Sequence, residues 1–164
     1  MFTIKKSIVI DAPVAEVFAY VVDPEHAPEY YTDVNEVTNL RRLPTGGYAC
    51  RFMPLDLTVE TTEFVPNERL VARGTACGPM DEVTLTTTFE RFAGDHGEQA
   101  RVTCHEEHRF RGGFFGRLGE KPAAQYFDRA AEMTLTALKA RIESGVPAKT
   151  PTKTPTKTPA GTHS

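Results

Sequence analysis

The chain has 164 residues, 40% apolar and 25% charged, with ten phenylalanines and no tryptophan; this is the make-up of one water-soluble domain able to bury a core. Its net charge is −3, and the last nineteen residues hold three lysines and no acid, which leaves 16 basic against 22 acidic residues elsewhere. An acidic body without a basic stripe argues against nucleic acid or an anionic membrane surface as the main partner. Cys50, Cys77 and Cys104 are odd in number and far apart, with no CxxC, so neither a zinc site nor a disulfide framework is indicated and reduced thiols in a cytoplasm are expected. Asp11 interrupts the opening apolar run, which therefore lacks the core of a signal peptide. No stretch approaches the ~20 apolar residues of a membrane span.

In chain order, FTIKKSIVI (2–10) places Phe2, Ile4, Ile8 and Ile10 on one parity, with Lys6 the exception, and reads as a strand. Asp11-Ala12-Pro13 opens a helix, with Pro13 suited to the first helical position and Val14, Val17, Phe18 and Val21 forming one apolar face. Asp23-Pro24 stops it and can cap a second helix, PEHAPEYYTD, which Pro28 limits to a turn or two. Six strand candidates follow: 34–43, 48–53, 55–65, 69–77, 82–92 and 99–110, rich in Val, Thr, Phe and Leu. Their breaks, at Pro44-Thr45-Gly46-Gly47, Pro66-Asn67-Glu68, Cys77-Gly78-Pro79 and Gly94-Asp95-His96-Gly97, fit tight antiparallel connections. RGGFFGRLGEKP (111–122) reads as a glycine-rich bend. A long helix is expected from about Pro122 to Ser144, with Phe127, Ala131, Leu135, Leu138 and Ile142 as its stripe and Gly145 and Pro147 closing it. Its first half is slim, with Ala123, Ala124, Ala130 and Ala131. The repeated Thr-Pro-Thr-Lys tail cannot bury apolar surface and is expected to be solvated and disordered or polyproline-like.

One strand, two short helices, six strands and a long terminal helix is a specific order. SIVIDAPVAEVFAYVVDPEHAPEYYTDV resembles the opening strand, Ala-Pro helix start and Asp-Pro junction before an aromatic of the START-like superfamily, which includes polyketide cyclases/dehydrases and lipid-transfer proteins. RGGFFGRLGE before an alanine-containing amphipathic helix resembles its closing segment. The resemblance spans roughly residues 2 to 144, and its motifs concern packing, so they speak for fold more than activity. It implies an α+β helix-grip fold: a bent antiparallel sheet of about seven strands wrapped around the C-terminal helix, with two short helices after the first strand. The expected organisation is a ligand-binding domain at 1–145 and a tail at 146–164.

The resemblance also implies a cavity between sheet and long helix, and RVTCHEEHRF (101–110) bears on it. Alternate side chains of a strand share a face, so Glu106 and His108 point with Val102, Cys104 and Phe110. An unpaired carboxylate in dry core costs several kcal/mol or changes its ionisation, and a cavity wall relieves that cost. A position at the strand's end near solvent, or a β-bulge inverting the faces, is the other reading. His105 and His108 are three apart and face opposite sides, so a metal site is not expected. Cyclisation of a carbonyl-rich substrate needs a base, a donor to the carbonyl oxygen and an acid to expel water. Glu106, His108 and Tyr48 are the candidates, Tyr48 sharing parity with Cys50 and Phe52 while Arg51 faces solvent.

Tyr30 and Tyr31 fall where relatives carry an aromatic at the pocket entrance. Phe52, Phe89, Cys104, Phe110, Phe114, Phe115, Tyr126 and Ala130 complete the expected lining. For the tyrosines a plain packing role is the alternative, as it is for Phe114 and Phe115, which would then pin the bend; Cys104 reads as a buried structural thiol. Three functions stand at this point: a cavity protein for a hydrophobic, partly oxygenated small molecule (a polyketide, lipid or aromatic metabolite) that cyclises or dehydrates it without cofactor or metal; a carrier of such a ligand without catalysis; and a protein–protein module on the same fold. A monomer or homodimer without integral membrane association is expected.

Overall fold

The computed structural model describes residues 1–31, 36–52, 55–76, 80–110 and 113–145, with the backbone alone at 80 and 113–120. The strands are β1 (Phe2–Ile10), β2 (Val37–Arg42), β3 (Tyr48–Phe52), β4 (Leu55–Val65), β5 (Arg69–Ala76), β6 (Met80–Gly94) and β7 (Gly97–Phe110). The helices are α1 (Val14–Val22), a 3-10 turn Pro24–His26 running into α2 (Ala27–Tyr30), and α3 (Gly113–Glu143). One antiparallel sheet holds all seven strands in the order β1-β7-β6-β5-β4-β3-β2. Neighbours in sequence form hairpins, so only β1 crosses to pair with the last strand, Ile8 opposite Val102. The tail and the Cys77-Gly78-Pro79 connection lie outside the described residues. No helix among those described is long and apolar enough to cross a membrane.

The alternation read in the sequence sets which face is buried. Ile4 and Ile10 of β1, Leu57 and Val59 of β4, Phe89 of β6 and Ala100 and Val102 of β7 all lie inside. Lys6, the exception in β1, also points toward α3 and reaches Asp128 at 2.9 Å. Three register shifts interrupt the ladders, one of them between Met80 and Glu82 of β6, opposite Phe110 and Arg109 of β7. In β4 the shift falls between Thr61 and Glu63, and Thr62 donates its hydroxyl to the Val71 carbonyl at 3.3 Å. In β2 it falls between Thr38 and Arg41, with Asn39 at φ 54°. An extra residue in one strand increases local twist and curls it.

α3 lies mainly along β1 and also touches α2 and β7. Ala130 and Ala131 are buried, so the slim part of the helix meets its partner closely, and Leu135, Leu138 and Ile142 continue the stripe into a core with Phe18, Tyr30, Phe89 and Val102. Gly145 takes φ +61°, the left-handed stop expected of it. Two boundaries differ from the sequence reading. α3 begins at Gly113 instead of near Pro122, which sits inside the helix. A proline removes one N–H and crowds one preceding carbonyl, a local loss that the remaining turns of a 31-residue helix outweigh. Pro13 precedes the first helical residue, because the Glu98 carboxylate on β7 accepts the Val14 N–H at 2.8 Å and fixes the helix start there.

Polar ties hold the short helices in place. Asp23 Oδ1 caps the 3-10 turn through the Glu25 N–H at 3.1 Å, and Arg42 on β2 reaches both Asp23 and Glu25. Glu29 on α2 accepts from the Tyr20 hydroxyl at 2.6 Å and from Arg141 Nε at 2.7 Å, joining α1, α2 and α3 at one carboxylate. At the end of α3, Glu143 accepts the Asp11 N–H at 2.9 Å while Lys139 donates to the Val9 carbonyl at 2.7 Å.

Burial by itself disfavours the Glu29 carboxylate, but Tyr20 and Arg141 outweigh it and hold the group below its ordinary pKa. Glu143 is likewise held low, by Lys139 and by the Asp11 amide. A carboxylate whose folded-state pKa is lowered contributes stability in full above the unfolded-state value and loses it as pH falls through the folded one. The melting temperature therefore drops on acidification from neutrality. Glu29→Gln lowers it at pH 7 and flattens the drop, and circular-dichroism melts over the acid range check both outcomes.

Candidate functional site

A hollow forms where inward side chains are small. Leu70, Ala72, Gly74 and Ala76 alternate along β5, and Ala72 and Gly74 line a cavity of about 90 Å³. At Gly74 a Cβ would lie 2.8 Å from Val83 Cγ1 and 3.9 Å from Val59 Cγ2, so Val83 packs directly over the glycine and helps to wall the cavity there. Around it stand Val37, Phe52, Leu57 and Phe127, an apolar wall. A second lobe of about 80 Å³ lies toward α1 and the bulky half of α3, walled by Val21, Val102, Leu135 and Leu138. Ala27, Tyr31, Tyr48, Ala72 and Leu85 border both lobes, so the two tyrosines stand at their junction. Each lobe is smaller than the roughly 300–1,000 Å³ of ordinary ligand sites.

Into this apolar wall β7 projects Glu106 and His108. His108 Nε2 donates to Glu106 Oε2 at 2.9 Å, with only 3% of the imidazole and 16% of the carboxylate side chain exposed. The ring is held from two sides: Phe2 stacks on it with centroids 4.7 Å apart and planes 16° from parallel, and Phe127 lies 4.4 Å away. Strand period places the pair two residues apart on one face, and β1 and α3 supply the flanking rings. His105 falls on the opposite face, paired across to Lys5 and Thr86.

The phenols add donors. Tyr48 has its pKa pushed up to about 12, by burial first and then by Cys50. Tyr31 is driven well above its ordinary value by burial, with Tyr30 and Glu106 adding to it. Both stay protonated at neutral pH and can donate to an oxygen. Cys104 lines the second lobe and rises to about 12, again by burial first and then Glu106, so it is a thiol and not a nucleophilic thiolate.

The expected lining divides. Glu106, His108, Tyr48, Tyr31 and Phe52 border the first lobe, and Tyr30, Tyr31, Tyr48 and Cys104 the second. Four others lie elsewhere among the described residues. Phe89 packs edge-on against Phe18 at 5.1 Å in the core, because its position on β6 faces α1. Phe110 packs against Phe2 at 5.7 Å, beyond the cavity. Ala130 is buried at the helix–strand contact. Tyr126 is exposed and stands edge-on to Phe127, one helical step off the inward stripe. The side chains of Phe114 and Phe115 lie outside the described residues. Sequence reasoning passed over Ala72, Gly74 and Thr87, although their signal was present: small or polar residues on the inward parity of otherwise apolar strands.

A seven-stranded antiparallel sheet with a long C-terminal helix and short helices after β1 is an α+β helix-grip architecture. The model of the family described as polyketide cyclase / dehydrase and lipid transport matches residues 1–143, and the chain belongs to that family. Its fold is similar to that of TTHA0849 from Thermus thermophilus, with a TM-score of 0.67 and 19% identity over 87% of this chain and 98% of that one. A conserved protein from Geobacillus kaustophilus gives 0.65 and 16%, covering 87% and 96%. DynU16, from the dynemicin biosynthetic locus, gives 0.62 and 18% over 90% of this chain and 49% of that one. At such identities the likeness is one of fold. No curated protein matches the sequence.

The hydrogen-bonded pair and its flanking rings are coupled, which yields a prediction. His108→Phe preserves the ring stack but leaves the Glu106 carboxylate without its imidazole, at a cost of about 1–3 kcal/mol. Adding Glu106→Leu recovers most of that loss, since removing both partners is close to neutral. Urea unfolding of the two variants measures it; equal stabilities would contradict the pairing.

Proposed function

We propose that the chain binds a small, largely apolar molecule bearing at least one oxygen function in the two-lobed hollow, held by Glu106 and His108 and by the phenols of Tyr31 and Tyr48. The observation that carries this reading is a hydrogen-bonded carboxylate–imidazole pair on the wall of an otherwise apolar cavity. Polar groups few in number and convergent in an apolar pocket fix a ligand's orientation. Membership of a family of cyclases, dehydrases and lipid-transport proteins supports it.

The same groups suit ring closure of a carbonyl-rich chain. The Glu106–His108 pair takes a proton from a carbon flanked by carbonyls. The resulting enolate carbon bonds to a second carbonyl carbon, whose oxygen takes up a proton donated by Tyr48. Loss of that oxygen as water follows: the imidazolium returns the proton first removed to the departing hydroxyl, the second hydrogen on the attacking carbon leaves as the C=C bond forms, and the Tyr48 phenolate takes up that proton. Positioned acid–base groups contribute about 10²–10⁴-fold to such steps. A carrier uses the same hollow and stops at binding.

Two measurements test these readings. N-phenyl-1-naphthylamine, a neutral apolar fluorophore, brightens on entering the wild-type hollow, and Ala72→Leu, which adds bulk at a position bordering both lobes, removes most of the signal. Unchanged brightening in Ala72→Leu would defeat the cavity reading. On a linear poly-β-carbonyl thioester, Glu106→Gln and His108→Ala lower turnover by about 100-fold or more, well beyond the loss of affinity that follows from removing a group that holds the ligand. Tight binding without product in the wild type identifies a carrier.

A further inference from the structure

Thr87 breaks the inward pattern of β6, where Leu85 and Phe89 flank it on the same parity. It is 3% exposed and borders the second lobe. Its hydroxyl makes one weak contact among the described residues, with Cys104 Sγ at 4.0 Å. Tyr30 borders the same lobe at 6% exposure, and its phenol makes no hydrogen bond among the described residues, only ring contacts to Tyr20 and Tyr31. Buried hydroxyls are nearly always paired, and leaving one without a partner costs about 1–3 kcal/mol. On this lobe the Tyr30 phenol carries that cost, and the Thr87 hydroxyl offsets its own only through the long contact to Cys104.

We propose that the second lobe is an oxygen-binding subsite, in which the hydroxyls of Thr87 and Tyr30 bind a hydroxyl or carbonyl oxygen of the ligand remote from the group held at Glu106 and His108. This rests on the cavity reading above and narrows the ligand to a compound with two separated oxygen functions, one per lobe, joined by an apolar ring or chain passing between Tyr31 and Tyr48. A simple fatty hydrocarbon tail is disfavoured there, because it would cover both hydroxyls without bonding either. Burial holds the Tyr30 phenol far above its ordinary pKa, so it remains a donor.

The test uses 2,6-dihydroxynaphthalene and 2-naphthol as probes in titration calorimetry, with wild type, Thr87→Val, Tyr30→Phe and Glu106→Gln. The wild type binds the diol about five- to tenfold more tightly than the mono-ol, the worth of one or two neutral hydrogen bonds. Thr87→Val and Tyr30→Phe each remove most of that preference and leave 2-naphthol binding within about twofold. Unliganded Thr87→Val melts within about a degree of the wild-type temperature or above it, since it deletes a buried hydroxyl held only by the long Cys104 contact without changing shape. An intact diol preference in both variants overturns the subsite alone. So does a Thr87→Val melting point several degrees lower, which marks the hydroxyl as a structural bond. Failure of both probes to bind the wild type, or indifference of both to Glu106→Gln, overturns the cavity reading as well.

Discussion

The hydrogen bond between His108 and Glu106 is the contact on which the inner face of this protein turns. A carboxylate in an apolar wall is costly unless something nearby shares its charge, and the strand's period of two delivers the imidazole from the same segment. The imidazole in turn needs walls. Phe2 comes from the first strand and Phe127 from the last helix, so the pair sits where the two ends of the domain meet. Any loosening of the N-terminal strand therefore reaches the polar centre of the cavity directly.

The hollow itself follows from a shortage of side-chain volume on β5. Interiors are packed to crystal-like density, so space persists only where the surrounding backbone cannot collapse into it. Ala72 and Gly74 sit mid-sheet, held by hydrogen-bonded neighbours on both sides, and cannot move toward α3 without tearing the ladder. Leu135 and Leu138 wall the second lobe and also join Ile142 in the core behind it. The same helix stripe thus serves both packing and lining, and the tyrosines Tyr31 and Tyr48 stand at the junction of the two lobes.

Much of this was legible in the sequence. Alternation in FTIKKSIVI and RVTCHEEHRF marked both strands and the inward placement of Glu106 and His108, because period two is a direct geometric consequence of the extended chain. The Leu135–Leu138–Ile142 stripe and Gly145 located the end of α3. The start of α3 was not legible, since a glycine-rich segment followed by Pro122 carries every local stop signal while the helix is sustained by its later turns. Nor was the fate of Phe89, Phe110 and Tyr126: face can be read from parity, but distance along a curved sheet from the cavity depends on the register shifts at Thr61, Thr38 and Met80, which leave no strong local mark. Pro13 shows the same limit, as its position relative to α1 is set by Glu98 from a strand far along the chain.

The pairing of β1 with β7 carries a consequence for biogenesis. Ser7 and Thr103, whose hydroxyls meet at 2.8 Å, are 96 residues apart. On the ribosome the opening segment emerges first and waits, unmatched, until nearly the whole domain has been translated; the hairpins between β2 and β7 can zip in the meantime from short loops. Contacts of such long separation are slow to close, and an unsatisfied strand is prone to wrong partners during the delay. Capture of β1 by β7 is therefore a late closure, and a chain cut before the seventh strand leaves β1 without its sheet neighbour.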